Sequence, residues 1–306
     1  MNPLDRWLAH YEEGDRARRR SALDRFREYS KQEPEALLQR TRQQISEGKP
    51  PEELEDMLLN YYRHLVDKER LAKPSAARWY WVVRSYFTTN YVRLGPPPRQ
   101  VTKQGPAYER GRLLTQDEVK AMVDAMDSYR DKAVIAFLAQ TGQRIGILTA
   151  IKHSEIRHFG SRGLVEVPPT YSNQLGKNVN KSEVRYKFAI GEDTMRLLME
   201  FPKKWAGDWI FGITDRQMGR MVDEAATKTG IQEEIETKLG RAWHLVHPNV
   251  FRKYWKHQMK LGGITDPDLL NFMMGHKLPY GAAYDAFPDE DVLKAYRKAE
   301  RHLKLS

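Results

Sequence analysis

Apolar residues recur every three to four positions through about the first ninety residues, with charged residues filling the gaps, a spacing that predicts consecutive amphipathic helices. Asn2 is placed to cap a first helix, with Pro3 in its opening turn and Leu4, Trp7, Leu8 and Tyr11 following at helical spacing. Ala22, Phe26 and Tyr29 mark a second. Pro34 opens a third through Leu37, Leu38, Thr41 and Ile45 as far as Gly48, and Pro50-Pro51 a fourth through Leu54, Leu58, Tyr61 and Leu65. Pro74-Ser75 starts a fifth, RWYWVVRSYFTTNYV. These stripes predict a core, leaving Arg and Lys on the outer faces.

The pattern then breaks. Gly95-Pro96-Pro97-Pro98 ends the helical run, and RQVTKQGPAYERGR has no apolar period, so it reads as an extended basic linker. The predicted organisation is an N-terminal helical domain over 1–94, a linker over 95–112 and a second domain over 113–306. Thr115 and Glu118 have capping-box spacing ahead of Val119, Met122 and Met126. Asp131 to Gln140 is more uniformly apolar, which predicts a buried helix broken at Gly142. GLVEV and VRYKFAI are β-rich runs joined by the polar stretch PPTYSNQLGKNVNKSE, and read as a strand pair with a long loop. The expected fold class is therefore mainly α, with a small β-sheet in the second domain.

Composition narrows the function. Fifty-one Lys and Arg against forty-one Asp and Glu leave a net charge of +10, a surplus that favours a polyanionic partner, nucleic acid first, through counterion release. The absence of cysteine rules out thiol catalysis, disulfides and thiolate metal sites. No run approaches the roughly eighteen apolar residues of a membrane span, and the charged opening lacks the apolar core of a secretory signal, so a cytoplasmic protein is expected.

Four segments of the second domain carry candidate chemistry. TGQRIGILTAIKHSEI places Arg144 at the base of a helix just after Gly142. HPNVFRKYWKHQM places Arg252 on a helix opened by Pro248. LLNFMMGHKLPYGAAYDAF ends a helix at Gly275, with His276 and then Tyr284 beyond it, and the strand-pair loop offers Lys177 and Lys181. In this order the segments resemble the boxes of tyrosine recombinases: T-G-x-R at Thr141 to Arg144, P-H-x-x-R at Pro248 to Arg252, G-H at Gly275-His276, and a tyrosine beyond. The text around MMGHKLPYGAAYDAF looks most like integrases of archaea and their mobile elements. The resemblance covers about residues 114 to 306.

It implies a two-domain clamp on double-stranded DNA, a tetramer on two duplexes, and cutting and rejoining through a 3'-phosphotyrosyl intermediate without cofactor or metal. Arg144 and Arg252 would hold the scissile phosphate, since a guanidinium is always charged and presents a planar fork of donors. His276 would add a donor, Tyr284 would attack phosphorus, and a loop lysine, Lys181 before Lys177, would protonate the leaving 5'-oxygen. Tyr280 is the rival nucleophile, but it lies only four residues after His276, whereas Tyr284 lies at the family's spacing of about eight. Tyr171, Tyr254 and Tyr296 read as packing residues.

Two positions depart from the family. Asn249 stands where the second box usually has histidine and cannot act as a general base, so either hydrogen bonding alone serves there or His247, two residues earlier, takes over. Ile147 stands where an acidic residue usually supports the first arginine, which weakens the support of Arg144, and Glu155 is not taken to replace it. The alternatives to a mobile-element integrase are a chromosome or plasmid dimer-resolving recombinase, a transposase, a swivelling type IB topoisomerase-like enzyme, a DNA-binding relative that has lost activity, and an unrelated helical RNA-binding protein. The tail DVLKAYRKAERHLKLS, with Val292, Leu293, Tyr296, Ala299 and Leu303 near helical spacing, could dock on a neighbouring subunit or pack on its own domain.

Overall fold

The structure, a computed structural model, describes residues 1–102, 112–201, 208–236, 242–278 and 287–305. These fall into two compact units, one running to Thr102 and the other beginning at Arg112.

The first unit is helical. It comprises α1 (Pro3–Leu8), α2 (Glu13–Ser30), α3 (Pro34–Ser46), α4 (Glu52–Asp67) and α5 (Lys73–Thr89). Asn2 caps α1, its Oδ1 accepting from the Leu4 amide at 2.8 Å. The apolar stripes meet in one core in which Trp7, Phe26, Leu38, Leu58, Tyr61, Val83 and Phe87 are fully buried. Edge-to-face pairs of Phe26 with Phe87 and of Trp7 with Tyr86 tie α5 to α2 and α1. Ile45 departs from the expected stripe and is exposed near the end of α3. The proline stretch is pinned where it leaves the unit: Arg84 donates to the Gly95 carbonyl, and Glu55 accepts from the Gly95 amide. Just beyond, residues expected to be extended form a helical turn, α6 (Arg99–Thr102), because Val101 is buried in the core and draws the chain back onto it.

The second unit begins with α7 (Gln116–Asp124), whose capping box from Thr115 and Glu118 is formed in both directions. Next comes α8 (Tyr129–Thr141), capped by Ser128 and buried along all of its residues from Ala133 onward. It ends at Gly142 in the left-handed region, where a Cβ would lie 2.8 Å from the Trp255 ring, so only glycine fits. A four-residue helix, α9 (Ile145–Leu148), follows directly.

The sheet has three antiparallel strands in the order β1 (Arg157–Phe159), β2 (Arg162–Val167) and β3 (Tyr186–Ile190). β2 and β3 are the expected pair, in register from Gly163 opposite Ile190 to Val167 opposite Tyr186. β1 was not expected from sequence, since its RHF has no alternation and its first two residues are exposed. The remaining elements are α10 (Glu192–Glu200), α11 (Asp215–Lys228), a ribbon of β4 (Glu234–Glu236) and β5 (Ala242–His244), α12 (Pro248–Leu261), α13 (Pro267–Met273) and α14 (Asp289–Ala299). No helix among the described residues is long and apolar enough to cross a membrane.

The tail's apolar stripe is already occupied. Val292, Tyr296, Ala299 and Leu303 are fully buried in the core of their own unit, where α14 packs on β3 and α12. Arg162 and the buried Glu300 pair at 2.5 Å, and Gln140 donates to the Leu303 carbonyl at 3.1 Å. Docking that stripe on a neighbour would require unpacking it first, so packing on its own domain is the arrangement observed. Asp289, at the start of α14, pairs with Arg157 at 2.5 Å and Lys187 at 2.8 Å, which holds its carboxyl below the usual range.

Candidate active site

Three chain ends converge in the second unit: the stop of α8, the start of α12 and the stop of α13. Arg252, on the second turn of α12, is only 8% exposed. Its Nη1 donates to the Gly142 carbonyl at 2.8 Å, and its Nη2 to the Met274 carbonyl at 3.0 Å and to His276 Nε2 at 2.9 Å. Arg144 is half-buried at the N-cap of α9, and its Nη1 donates to the Gly275 carbonyl at 3.4 Å. Gly275 takes a left-handed conformation with the Tyr186 ring packed against it, which turns the chain so that His276 faces Arg252.

The electrostatics are those of an anion site. Among the described residues neither Arg144 nor Arg252 has a carboxylate within ion-pair distance; backbone carbonyls orient them and leave their charge unneutralised. Burial, then the neighbouring Arg144, pulls the Arg252 guanidinium down to about 10, so it remains a cation at neutral pH. Burial, then Arg252, Arg144 and Lys256, pushes His276 down to about 4, so its imidazole is neutral. Because Arg252 can only donate, Nε2 of His276 must accept and Nδ1 carries the proton.

The other expected residues are placed as follows. Asn249 is exposed one turn before Arg252 and lines an open cavity with Ile145, Pro248, Asp215, Arg216 and Gly219. His247 is half-buried at the N-cap of α12. Lys181 is exposed in the β2–β3 loop, next to Ser182, whose hydroxyl donates to the Gly275 carbonyl at 2.7 Å. Lys177 is exposed in a separate turn, where its amide donates to Asn173 Oδ1 at 3.1 Å. Tyr284 and its rival Tyr280 lie outside the described residues. Of their flanks, the Phe287 ring packs tilted against Phe272 of α13 with centroids 5.2 Å apart, and its carbonyl accepts from Lys187 at 3.3 Å. Tyr254 and Tyr296 are fully buried.

Glu155 does not support Arg144: it accepts from the Tyr171 hydroxyl at 2.5 Å and the Lys152 amide at 3.0 Å, while Ile147 is buried in the core. Three side chains that sequence reasoning left unassigned complete the surroundings. Gln143, 1% exposed, donates to the Thr141 and Met273 carbonyls at 3.2 and 2.7 Å and accepts from the Tyr186 hydroxyl at 3.1 Å. Tyr186 read only as a strand residue, and Ser182 only as loop. The one usable signal was the polar Gln143 amid residues destined for burial. Among the described residues no group of three or more His, Asp and Glu could hold a metal ion.

The model of the phage integrase family matches residues 112–279. No curated protein matches the chain. Among solved structures it is similar to the Tn1549 transposon integrase in complex with transposon right end DNA, with a TM-score of 0.54, 14% identity, and 98% of this chain and 100% of that chain covered. The XerH site-specific recombinase bound to difH substrate in a pre-cleavage complex gives a TM-score of 0.51 at 13% identity, covering 78% and 69% of the two chains. A lambda integrase dimer bound to a core site gives 0.50 at 17% identity, covering 88% and 98%. At such identities these likenesses show a common fold. The matched residues span more than half of the chain and include Arg144, Arg252 and the Gly275-His276 pair, and the protein belongs to the phage integrase family, the tyrosine site-specific recombinases.

Proposed function

We propose that this recombinase cuts and rejoins double-stranded DNA attachment sites through a 3'-phosphotyrosyl link made by Tyr284, and that it integrates or excises a mobile element. The observation that carries the reading is the cluster of Arg144, Arg252 and neutral His276, whose guanidiniums are held by main-chain carbonyls and have no carboxylate partner among the described residues. A phosphodiester entering there relieves the repulsion between the guanidiniums. As the hydroxyl of Tyr284 attacks phosphorus, negative charge grows on the non-bridging oxygens, where the two guanidiniums and the Nδ1 hydrogen of His276 stabilise it. The phosphorus–5'-oxygen bond breaks, and Lys181 supplies the proton to the leaving oxygen; the Ser182 bond that ties its loop to the Gly275 turn favours it over Lys177. Asn249 contributes a hydrogen bond rather than a proton acceptor, which leaves the hydroxyl of Tyr284 to lose its proton to solvent or His247.

The charge of +10 supports DNA as the partner, with residues 1–94 as a core-binding domain, 95–112 as a linker and 113–306 as the catalytic domain, acting as a tetramer in the cytoplasm. The archaeal flavour of MMGHKLPYGAAYDAF supports a mobile element of that kind. The test uses nicked duplexes tiled across the DNA flanking the gene, which trap a covalent protein–DNA adduct when a strand is cut. Arg144→Ala and Arg252→Ala should each slow trapping by about a hundredfold or more, since each removes a cation that acts in the transition state. Trapping at the wild-type rate by both variants would overturn the assignment of the site.

A further inference from the structure

Ile147 stands where an acidic residue usually supports the first arginine, Glu155 is engaged elsewhere, and among the described residues no carboxylate pairs with Arg144. Yet the two guanidiniums share a turn with consistent geometry. What fixes them is a run of three consecutive carbonyls at the end of α13. Met273 accepts from Gln143 at 2.7 Å, Met274 from Arg252 at 3.0 Å, and Gly275 from Arg144 at 3.4 Å and Ser182 at 2.7 Å. Carbonyls in the last turn of a helix have no intrahelical partner, so they are available for side-chain donors. The orientation of the run therefore sets where both cations and His276 point.

Besides the Ser182 bond, Gln143 and Tyr186 hold that run against the rest of the unit. Gln143 lies directly between Gly142, whose carbonyl takes Arg252, and Arg144 itself. Its amide spans the stop of α8 and the stop of α13, using both donor hydrogens on carbonyls and its oxygen on the Tyr186 hydroxyl. Tyr186, 1% exposed on β3, touches the run at a second point: a Cβ on Gly275 would lie 2.6 Å from its ring. Burial keeps its phenol protonated despite the nearby guanidiniums, so it remains a donor to Gln143.

We infer that Gln143 and Tyr186 are positioning residues for DNA cleavage, a neutral brace that fixes the Met273–Gly275 carbonyls on which Arg144 and Arg252 are hung and from which the chain leads to His276. Neither touches the phosphate. A brace made of an amide and a phenol orients the guanidiniums without cancelling their charge, whereas a carboxylate would offset part of it.

The inference rests on the reading of this cluster as the cleavage site, and its test separates the two. Tyr186→Phe keeps the ring against Gly275 and removes only the hydroxyl; Gln143→Met keeps length and removes all three hydrogen bonds. For the full-length protein, the trapping rate at saturating nicked duplex and the dissociation constant for the same duplex are measured for each, with melting curves to confirm folding. Tyr186→Phe should slow trapping by about tenfold and Gln143→Met by about a hundredfold, because small displacements of oriented groups weaken transition-state contacts more than ground-state binding. The dissociation constant should stay within about twofold, since the cations that bind phosphate remain. Should Gln143→Met fail to fold, Tyr186→Phe decides alone. Trapping at the wild-type rate by a folded variant overturns the brace, as does a loss of affinity that matches the loss of rate. Failure of the wild type to trap on any duplex overturns instead the cleavage site itself, and the brace with it.

Discussion

Replacing Gly142 with alanine tests the junction on which the site is built. The backbone there has φ +62, which costs an L-residue about 1–2 kcal/mol. The new Cβ would also lie 2.8 to 2.9 Å from three atoms of Trp255, which is fully buried and cannot swing away, adding about 1–3 kcal/mol of overpacking. Together these predict a loss of about 2–5 kcal/mol. In a unit of this size each kcal/mol lowers Tm by about 2–4 °C, so the variant should melt roughly 10 °C early. Gly160→Ala is the control, with φ +65 but nothing within 4 Å of its Cβ, so it carries the backbone strain alone. Thermal unfolding followed by circular dichroism compares the two. If Gly142→Ala melts no lower than Gly160→Ala, the packing of Trp255 against the α8 stop is not what requires glycine there.

Three further outcomes are expected. His276 has a folded pKa near 4 against an ordinary 6.5, so the unfolded chain binds more protons between those values and stability falls as pH drops through that window. His276→Gln should flatten that part of the profile, measured as the difference in denaturant midpoint between pH 7 and pH 5; an unchanged slope would contradict a neutral, half-buried imidazole. Deleting residues 290–306 exposes the surfaces that cover Val292, Tyr296, Ala299 and Leu303, each worth up to about 1.5–3 kcal/mol for the larger side chains, a sum comparable with a domain's whole stability. The truncated protein should therefore lose cooperative unfolding, and a folded, DNA-binding truncation would refute the packing role of α14. If Arg144 and Arg252 neutralise the phosphate as proposed, adduct formation should persist in EDTA; loss in chelator with recovery on adding a divalent ion would point to metal-dependent cleavage.

Helices were legible where the chain carries both period and punctuation. Asn2-Pro3, Pro34, Thr115 with Glu118 and Gly142 each mark an element end that the structure has at or within a residue of that place. β1 was not, because a short edge strand with exposed residues carries no alternation. The turn at Arg99–Thr102 was missed because one buried apolar residue, Val101, outweighs a locally polar composition. The tail showed its stripe but not its partner, since period reveals a buried face without saying against what. At the site, the arginines and His276 could be picked out by motif. Their orienting partners could not, because main-chain carbonyls have no sequence signature and Gln143 acts through contacts 130 and 43 residues away.

Cleavage as proposed leaves a tyrosine oxygen of this chain bonded to the 3'-phosphate of the broken strand. The direct measurement traps the wild-type protein on a nicked duplex, digests the adduct and maps the nucleotide-bearing peptide by mass spectrometry, alongside Tyr284→Phe and Tyr280→Phe. A single modified residue, Tyr284, is expected, with the adduct absent in Tyr284→Phe and retained in Tyr280→Phe. A nucleotide on Tyr280, or an adduct that survives in Tyr284→Phe, would contradict it.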